Sequence, residues 1–428
     1  MPAGGGTPEP ASKLDDTRAE NSHRWPHFLP DGKHFLFWAR SAEGIHQQAL
    51  YVGTLGSLQA KIIMKTGAPA IFASGYLLFT RDQTLLAQPF DTGRLEVSGE
   101  TTPIAEHIAT NGATNTPEFS ASATGTLVYQ MGDLAGVWDL LWFTHDGKPA
   151  GSVAQQERYY YPALSPEESR LAVSLFNGTQ GTANIWILDL KRGTKSRLTF
   201  DSGMQLQSLW SRDGKTLFYV ADTKGSRHIY AKAADGRGTE QTILETPGVT
   251  ETLPNLSPDE RYLTYVRQVA NRTRGIWALP LFGDRKPFAI IENQSDNSSP
   301  AISPSGKWLA YESNGSGWRE IYITAFPGGG AKWQVSTKGG VEPKWRGDGK
   351  ELYFLDPSDN LVAVDVDTAA GVPRLGVPHV LMQAIGVQRQ VGSYVVAADG
   401  KEFLINSGTK QHSEPETLLT NWTAKVRK

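Results

Sequence analysis

Short apolar runs separated by polar turns, as half-buried strands require, recur along the whole chain. They are ordered by a phrase repeated about nine times: Pro, two residues, Ser-Pro-Asp-Gly-Lys or a worn version of it, then an apolar run ending in Tyr or Phe. The phrase is clearest from Pro300 to Tyr311 and recurs around Pro26, Pro117, Pro162, Ser208, Pro254 and Pro343, with weaker copies near Pro69 and Tyr394. Successive copies are roughly 43 to 51 residues apart, the length of one four-stranded propeller blade. The predicted fold is therefore all-β, a β-propeller of antiparallel blades.

Turn chemistry divides each copy into four strands. In the seventh, Ala301-Ile302-Ser303 is strand A, and Ser-Pro-Ser-Gly makes a type I turn with Pro second and Gly fourth. Strand B runs from Trp308 to Glu312 and strand C from Glu320 to Ala325 after a polar loop. Strand D is Lys332 to Ser336, reached through Pro327-Gly328-Gly329-Gly330. The same grammar places strands at Arg170–Val173, Asn184–Leu188 and Ser196–Thr199 in the fourth copy.

Composition narrows the functions. The 428 residues include 44 Gly, 25 Pro and 12 Trp, which suits short strands and aromatic packing between blades rather than long helices. A net charge of −2 gives no basic field for nucleic acid. The absence of cysteine excludes thiol catalysis and cysteine-bound zinc. No apolar stretch reaches the ~20 residues of a membrane helix, and the residues following Met1 do not form a signal peptide as written.

The Ser-Pro-Asp-Gly-Lys phrase, the Ile-Tyr or Ile-Trp strand C and the Arg-Leu-Thr strand D resemble the WD-repeat-like blades of TolB-type propellers. Ser22-His23-Arg24-Trp25-Pro26, Gly75–Phe79, Gly283–Phe288, Lys332–Ser336 and Asn421–Ala424 resemble, more closely, the C-terminal propeller of membrane-anchored bacterial serine/threonine protein kinases. The first resemblance implies six blades. The second implies a sensor region outside the membrane, and no catalytic residue carries over from it.

Ring closure sets the domains. The last copy supplies three strands, Tyr394–Ala398, Glu402–Asn406 and Thr417–Trp422, so a fourth must come from elsewhere. Pro149–Ala154 in that role closes a six-bladed ring over 151–428, leaving residues 1–150 as three further blades of a partial propeller. The alternative uses Pro10–Leu14 to close one large ring of eight or nine blades. Gly4–Pro10 reads as a C-to-D turn, so the chain is expected to begin inside a repeat.

Motifs for chemistry are few. Gly214-Lys215-Thr216 lacks the first glycine of a phosphate loop and reads as a turn. Asp365-Val366-Asp367 lies in a Val-alternating strand rather than a calcium loop. His23, His27 and His34 lack a suitably spaced fourth ligand, so no metal is expected. A hydrolase would need a Gly-x-Ser-x-Gly elbow on an α/β domain; the nearest string, Asn314-Gly315-Ser316-Gly317-Trp318, is a loop. A kinase would need a glycine-rich loop with a following lysine strand, His-Arg-Asp and Asp-Phe-Gly, none of which is present.

The D-to-A and B-to-C loops fall on one face. Its candidate binding residues are Arg158, Tyr159, Tyr160, Gln205, Glu251, Asp296, Asn297, Glu342 and Arg389, a mixture suited to a protein or peptide partner or a polar small ligand. Trp186, Trp210, Trp277, Trp308 and Trp345 recur at matching places and are assigned to the core between blades. The expected function is non-catalytic binding without a cofactor: the sensor region of a receptor kinase, or alternatively a TolB-like scaffold holding partner peptides. Its expected location is extracytoplasmic if the resemblance holds, and a cryptic hydrolase is the least supported reading.

Overall fold

The computed structural model describes residues 7, 9–41, 47–111, 116–132, 138–153, 157–177, 182–201, 203–223, 226–269, 272–384, 386–387, 392–408 and 415–426. The chain forms two compact units, Met1–Gly136 with Gln411–Lys428, and Val137–Lys410. Both are built from antiparallel sheets, and the described residues include no helix long and apolar enough to cross a membrane.

The larger unit contains six sheets among the described residues. Blade one is Tyr159–Leu164, Arg170–Asn177, Thr182–Asp189 and Thr194–Arg197, paired in chain order. Blades two to four repeat this plan over Gln205–Leu244, Val249–Ile291 and Asn297–Gln334, and blade five, from Val341 to Gln383, adds a fifth strand. Blade six is composite. Tyr394–Val396 and Glu402–Gly408 supply its inner strands, and Trp138–Thr144 and Pro149–Ser152 its outer ones. Each innermost strand packs against the next, and that of blade six packs against those of blades five and one.

The turn phrase explains how each blade starts. Ser165, Ser211, Ser257 and Ser303 each accept, at the hydroxyl, the amide hydrogen of the residue five positions on, which opens strand B. The glycine of the phrase takes a left-handed backbone, as at Gly306 (φ 67°). Glu168 and Glu260 occupy this position despite their side chains (φ 56° for both). Both carboxylates are used: Glu168 accepts the Ala398 amide hydrogen at 2.6 Å and Glu260 that of Arg212 at 2.5 Å, linking turns of neighbouring blades.

Packing between blades follows the tryptophan pattern. Trp210 is buried among Ile185, Ile187, Leu217 and Tyr219, and its indole N–H donates to the Ala163 carbonyl at 2.9 Å. Trp345 makes the same 2.9 Å bond to the Ala301 carbonyl between blades four and five, three blades further on. Trp308 belongs to the core between blades four and five, with Trp345 packed against it.

The smaller unit carries a four-stranded sheet from Glu20 to Lys65 and a five-stranded sheet from Ala70 to Ala105. It also holds a two-stranded ribbon and a three-stranded sheet of Phe119–Ala121, Thr126–Tyr129 and Thr417–Thr420. Three expectations differ from this arrangement. Thr417–Thr420 pairs with Thr126–Tyr129 instead of joining the last blade, which buries Trp422 among Leu78, Ile104 and Leu127. Blade six takes two strands from upstream, so the larger unit begins at Val137 and ends at Lys410 rather than spanning 151–428. Pro10–Leu14, the alternative closing segment, forms no strand, and Gly4–Gly6 lie outside the described residues. His23, His27 and His34 take separate partners in Ser12 and Glu20, the Phe72 carbonyl, and Asp31.

Candidate functional site

The innermost strands share an irregularity at the proline of the phrase. Register shifts at Tyr160/Ala163, Leu206/Leu209, Thr252/Asn255, Ser298/Ala301 and Val341/Lys344. Tyr161, Gln207, Ser299 and Glu342 take left-handed φ of 50° to 58° within these bulges. Such a conformation is costly for residues with side chains and persists where surrounding contacts over-determine it. The bulges lie at the D-to-A end of each strand, among the residues singled out as binding candidates.

Most of those candidates are used to join blades. Gln205 is buried and accepts from the Asn184 amide at 2.5 Å, while Asn184 accepts from Arg197 at 2.6 Å. Glu251 lies 2.5 Å from His228 Nδ1 of the preceding blade, both side chains being buried, and burial pushes its carboxyl above the ordinary range. Asp296 accepts the Arg274 amide hydrogen at 2.9 Å and pairs with the Arg274 guanidinium at 3.3 Å. Asn297 is fully buried and donates to the Ser295 carbonyl at 2.8 Å and to Asn293 Oδ1 at 3.0 Å.

A longer chain of bonds crosses blades four to six. Arg319 and Ser298 donate to Glu312 Oε2 at 2.8 and 3.0 Å, and Glu312 Oε1 accepts the Glu342 amide hydrogen at 2.8 Å. Glu342 in turn accepts from the Ser393 hydroxyl at 2.6 Å and the Ser393 amide at 2.9 Å. Gln205, Asp296 and Glu342 are thus bonded within the protein, which makes the face rigid, while Glu251 Oε1 and Asn297 Oδ1 are buried without a hydrogen-bond partner among the described residues.

Tyr159 is a correction of a different kind: it is 2% exposed, in a core with Leu140, Leu171 and Leu404, and offers no binding surface. Tyr160 lies edge-on to Trp138 at 4.6 Å, and Arg158 over the Phe176 ring at 5.8 Å. Burial lowers the pKa of the Arg158 guanidinium. Arg389 lies outside the described residues.

Between blades four and five the same face holds a cavity of about 530 Å³. Val341, Leu355 and Pro357 provide its apolar lining, and Arg319, Lys338 and the Gly339-Gly340 pair line it beside Trp318. Glu320, also in the lining, is engaged by the Ser336 hydroxyl and the Gly339 amide. Trp318 is 79% exposed. Sequence reasoning missed this residue because it treated the loop as polar spacing; its signal was a large aromatic in a Ser, Asn and Gly run.

Residues 151–281 match PD40, the TolB beta propeller domain. The larger unit carries a TolB-like β-propeller. The likeness to a TolB structure from Agrobacterium tumefaciens covers 63% of this chain and 97% of that one, with a TM-score of 0.52 and 17% identity. The chain is 27% identical over 168 residues to the Tol-Pal system protein TolB of Francisella tularensis subsp. tularensis (strain WY96-3418); the match covers 39% of this chain and 38% of that protein. It is also 26% identical over 193 residues to the uncharacterized peptidase YuxL of Bacillus subtilis (strain 168), covering 36% of this chain and 29% of that protein. The chain thus spans well under two thirds of the length of these curated relatives.

Proposed function

We propose that this chain is a non-catalytic binding propeller whose larger unit acts as a six-bladed ring and receives a protein or peptide partner on its D-to-A and B-to-C face. The observation that carries this reading is the cavity beside Trp318. An exposed aromatic, an apolar lining and nearby cations sit on a face where Gln205, Asp296 and Glu342 are already tied down. Recognition sites are concave, mostly apolar and anchored by aromatics and arginine, and rigid ones lose less freedom on binding.

The similarity to Tol-Pal system proteins supports a scaffold role, with an extracytoplasmic location. The kinase-associated stretches, such as Ser22–Pro26 and Asn421–Ala424, support a second reading in which the same face senses ligand for a kinase domain. The likeness to YuxL is consistent with shared blades, and no hydrolytic role is proposed. The test is site-specific photocrosslinking in the source organism. A benzophenone residue replacing Trp318 should capture a defined partner, whereas one replacing Asp213 on the opposite, tight-turn face should not. Equal capture at both positions refutes the reading.

A further inference from the structure

The loops leading from strand D of one blade to strand A of the next differ in charge. Those before Gln205, Val249 and Asn297 carry Asp201, Glu245, and Glu292 with Asp296, whereas the loop before Val341 carries Lys338 and no carboxylate. That loop borders the cavity of about 530 Å³ between blades four and five. It is held to the segment entering strand C of blade four: the Gly339 amide donates to both oxygens of Glu320 at 3.0 and 3.1 Å, and the Gly340 amide to the Arg319 carbonyl at 2.9 Å. Neither glycine has room for a side chain, since a Cβ would lie 2.5 Å from Pro357 Cγ at Gly339 and 2.8 Å from Ile321 Cγ1 at Gly340. Lys338 and Arg319 therefore stand on segments fixed to one another.

The cavity wall offers donors and apolar surface. Its carboxylate, Glu320, is 5% exposed and takes the Ser336 hydroxyl as well as the Gly339 amide. Arg319 is engaged through Nη1 alone, by Glu312 and Ser298, and its Nε and Nη2 have no acceptor among the described residues. Lys338 is exposed and makes no ion pair among the described residues. Val341, Leu355, Pro357 and the exposed Trp318 supply the apolar part. The complement of such a wall is an apolar group beside an anion. The volume falls in the ~300–1,000 Å³ range of small-ligand pockets, so it admits a short length of chain rather than a folded surface.

We propose that this cavity takes an acidic segment of a partner protein, with an apolar side chain against Trp318 and the Val341, Leu355 and Pro357 lining and an adjoining aspartate or glutamate bonded by Lys338 and Arg319. The inference rests on the binding reading of this face and adds to it the chemistry of the occupant.

The test uses the full chain labelled with fluorotryptophan, the Trp318 resonance being assigned through Trp318→Phe and followed by fluorine NMR. The probes are pools of N-acetylated, C-amidated hexapeptides built from Leu, Phe and Pro together with Asp and Glu, with Asn and Gln, or with Lys and Arg. The acidic pool should shift the Trp318 resonance at a concentration about tenfold below that required of the Asn and Gln pool, because bonds to an ionised acceptor are the stronger ones. Lys338→Gln should weaken the acidic pool by about threefold, as loss of an exposed ion pair does. Lys215→Gln, on the tight-turn face, should leave its binding unchanged. Equal response to the acidic and uncharged pools, or a stronger response to the basic one, overturns the acidic class while leaving the cavity as a binding site. If no pool moves the Trp318 resonance but a benzophenone residue at that position still captures a partner, the acidic segment is overturned and the binding reading stands; failure of both measurements overturns both.

Discussion

Ser393 gives Glu342 two hydrogen bonds, 2.6 Å from its hydroxyl and 2.9 Å from its amide, so that the innermost strand of blade five is tied to the segment that opens the composite blade six. Ser393 is fully buried, and Glu342 is left-handed at φ 54°. The bond therefore secures a strained residue at the place where strands from distant parts of the chain meet.

Ser393→Ala removes the hydroxyl donor from this carboxylate. A hydrogen bond to a charged group contributes about 1.5–3 kcal/mol, so the larger unit should lose roughly that much stability in urea denaturation. An unchanged midpoint would show that water replaces the hydroxyl without loss.

Trp210→Ala deletes a side chain that is 6% exposed and carries a bond to the Ala163 carbonyl and a contact with the Arg170 guanidinium at 4.6 Å. Loss of a buried tryptophan should cost about 3–5 kcal/mol and lower the melting temperature clearly. If the melting temperature holds, Trp210 leaves the list of core residues.

Ending the chain after Lys410 removes Thr417–Thr420 and Trp422 from the smaller unit and leaves every strand of blade six in place. Limited proteolysis should then cleave within residues 9–132 while the larger unit resists. Cleavage that begins in blade six instead would contradict the strand assignment.

Burial raises the hydroxyl pKa of Tyr159, Tyr219, Tyr265, Tyr353 and Tyr394, and pushes that of Tyr311 to about 12. A folded pKa above the unfolded value gives stability that is complete below about pH 10 and is lost as pH rises through the folded value. Absorbance at 295 nm should show these tyrosines still protonated near pH 11, ionising together with alkaline unfolding. Smooth titration of every tyrosine around pH 10 would count against their burial.

Strand positions and turns were legible in the sequence because they depend on neighbours. Ser303, Gly306 and Trp308 are five positions apart at most, and their hydrogen bonds are made within the turn itself. The seventh copy's strands B and C were expected at Trp308–Glu312 and Glu320–Ala325 and are found at Trp308–Ser313 and Glu320–Ala325. The tryptophans could be assigned by their place in the repeat, since identical blades stack through identical positions.

Partnership between distant segments was legible only in part. Pro149–Ser152 joins the last blade, as expected of Pro149–Ala154, but Thr417–Thr420 meets Thr126–Tyr129 instead, an edge that only the folded chain decides. The same holds for chemistry. Gln205, Glu251 and Asp296 carry ligand-like side chains at or just before the start of innermost strands, but the preceding blade brings Asn184, His228 and Arg274 against them and takes up a hydrogen bond of each. The sequence by itself determined the repeated module, because turns and strand alternation are local; the tertiary structure decided closure and which polar groups stay available, because both depend on contacts between residues far apart in the chain.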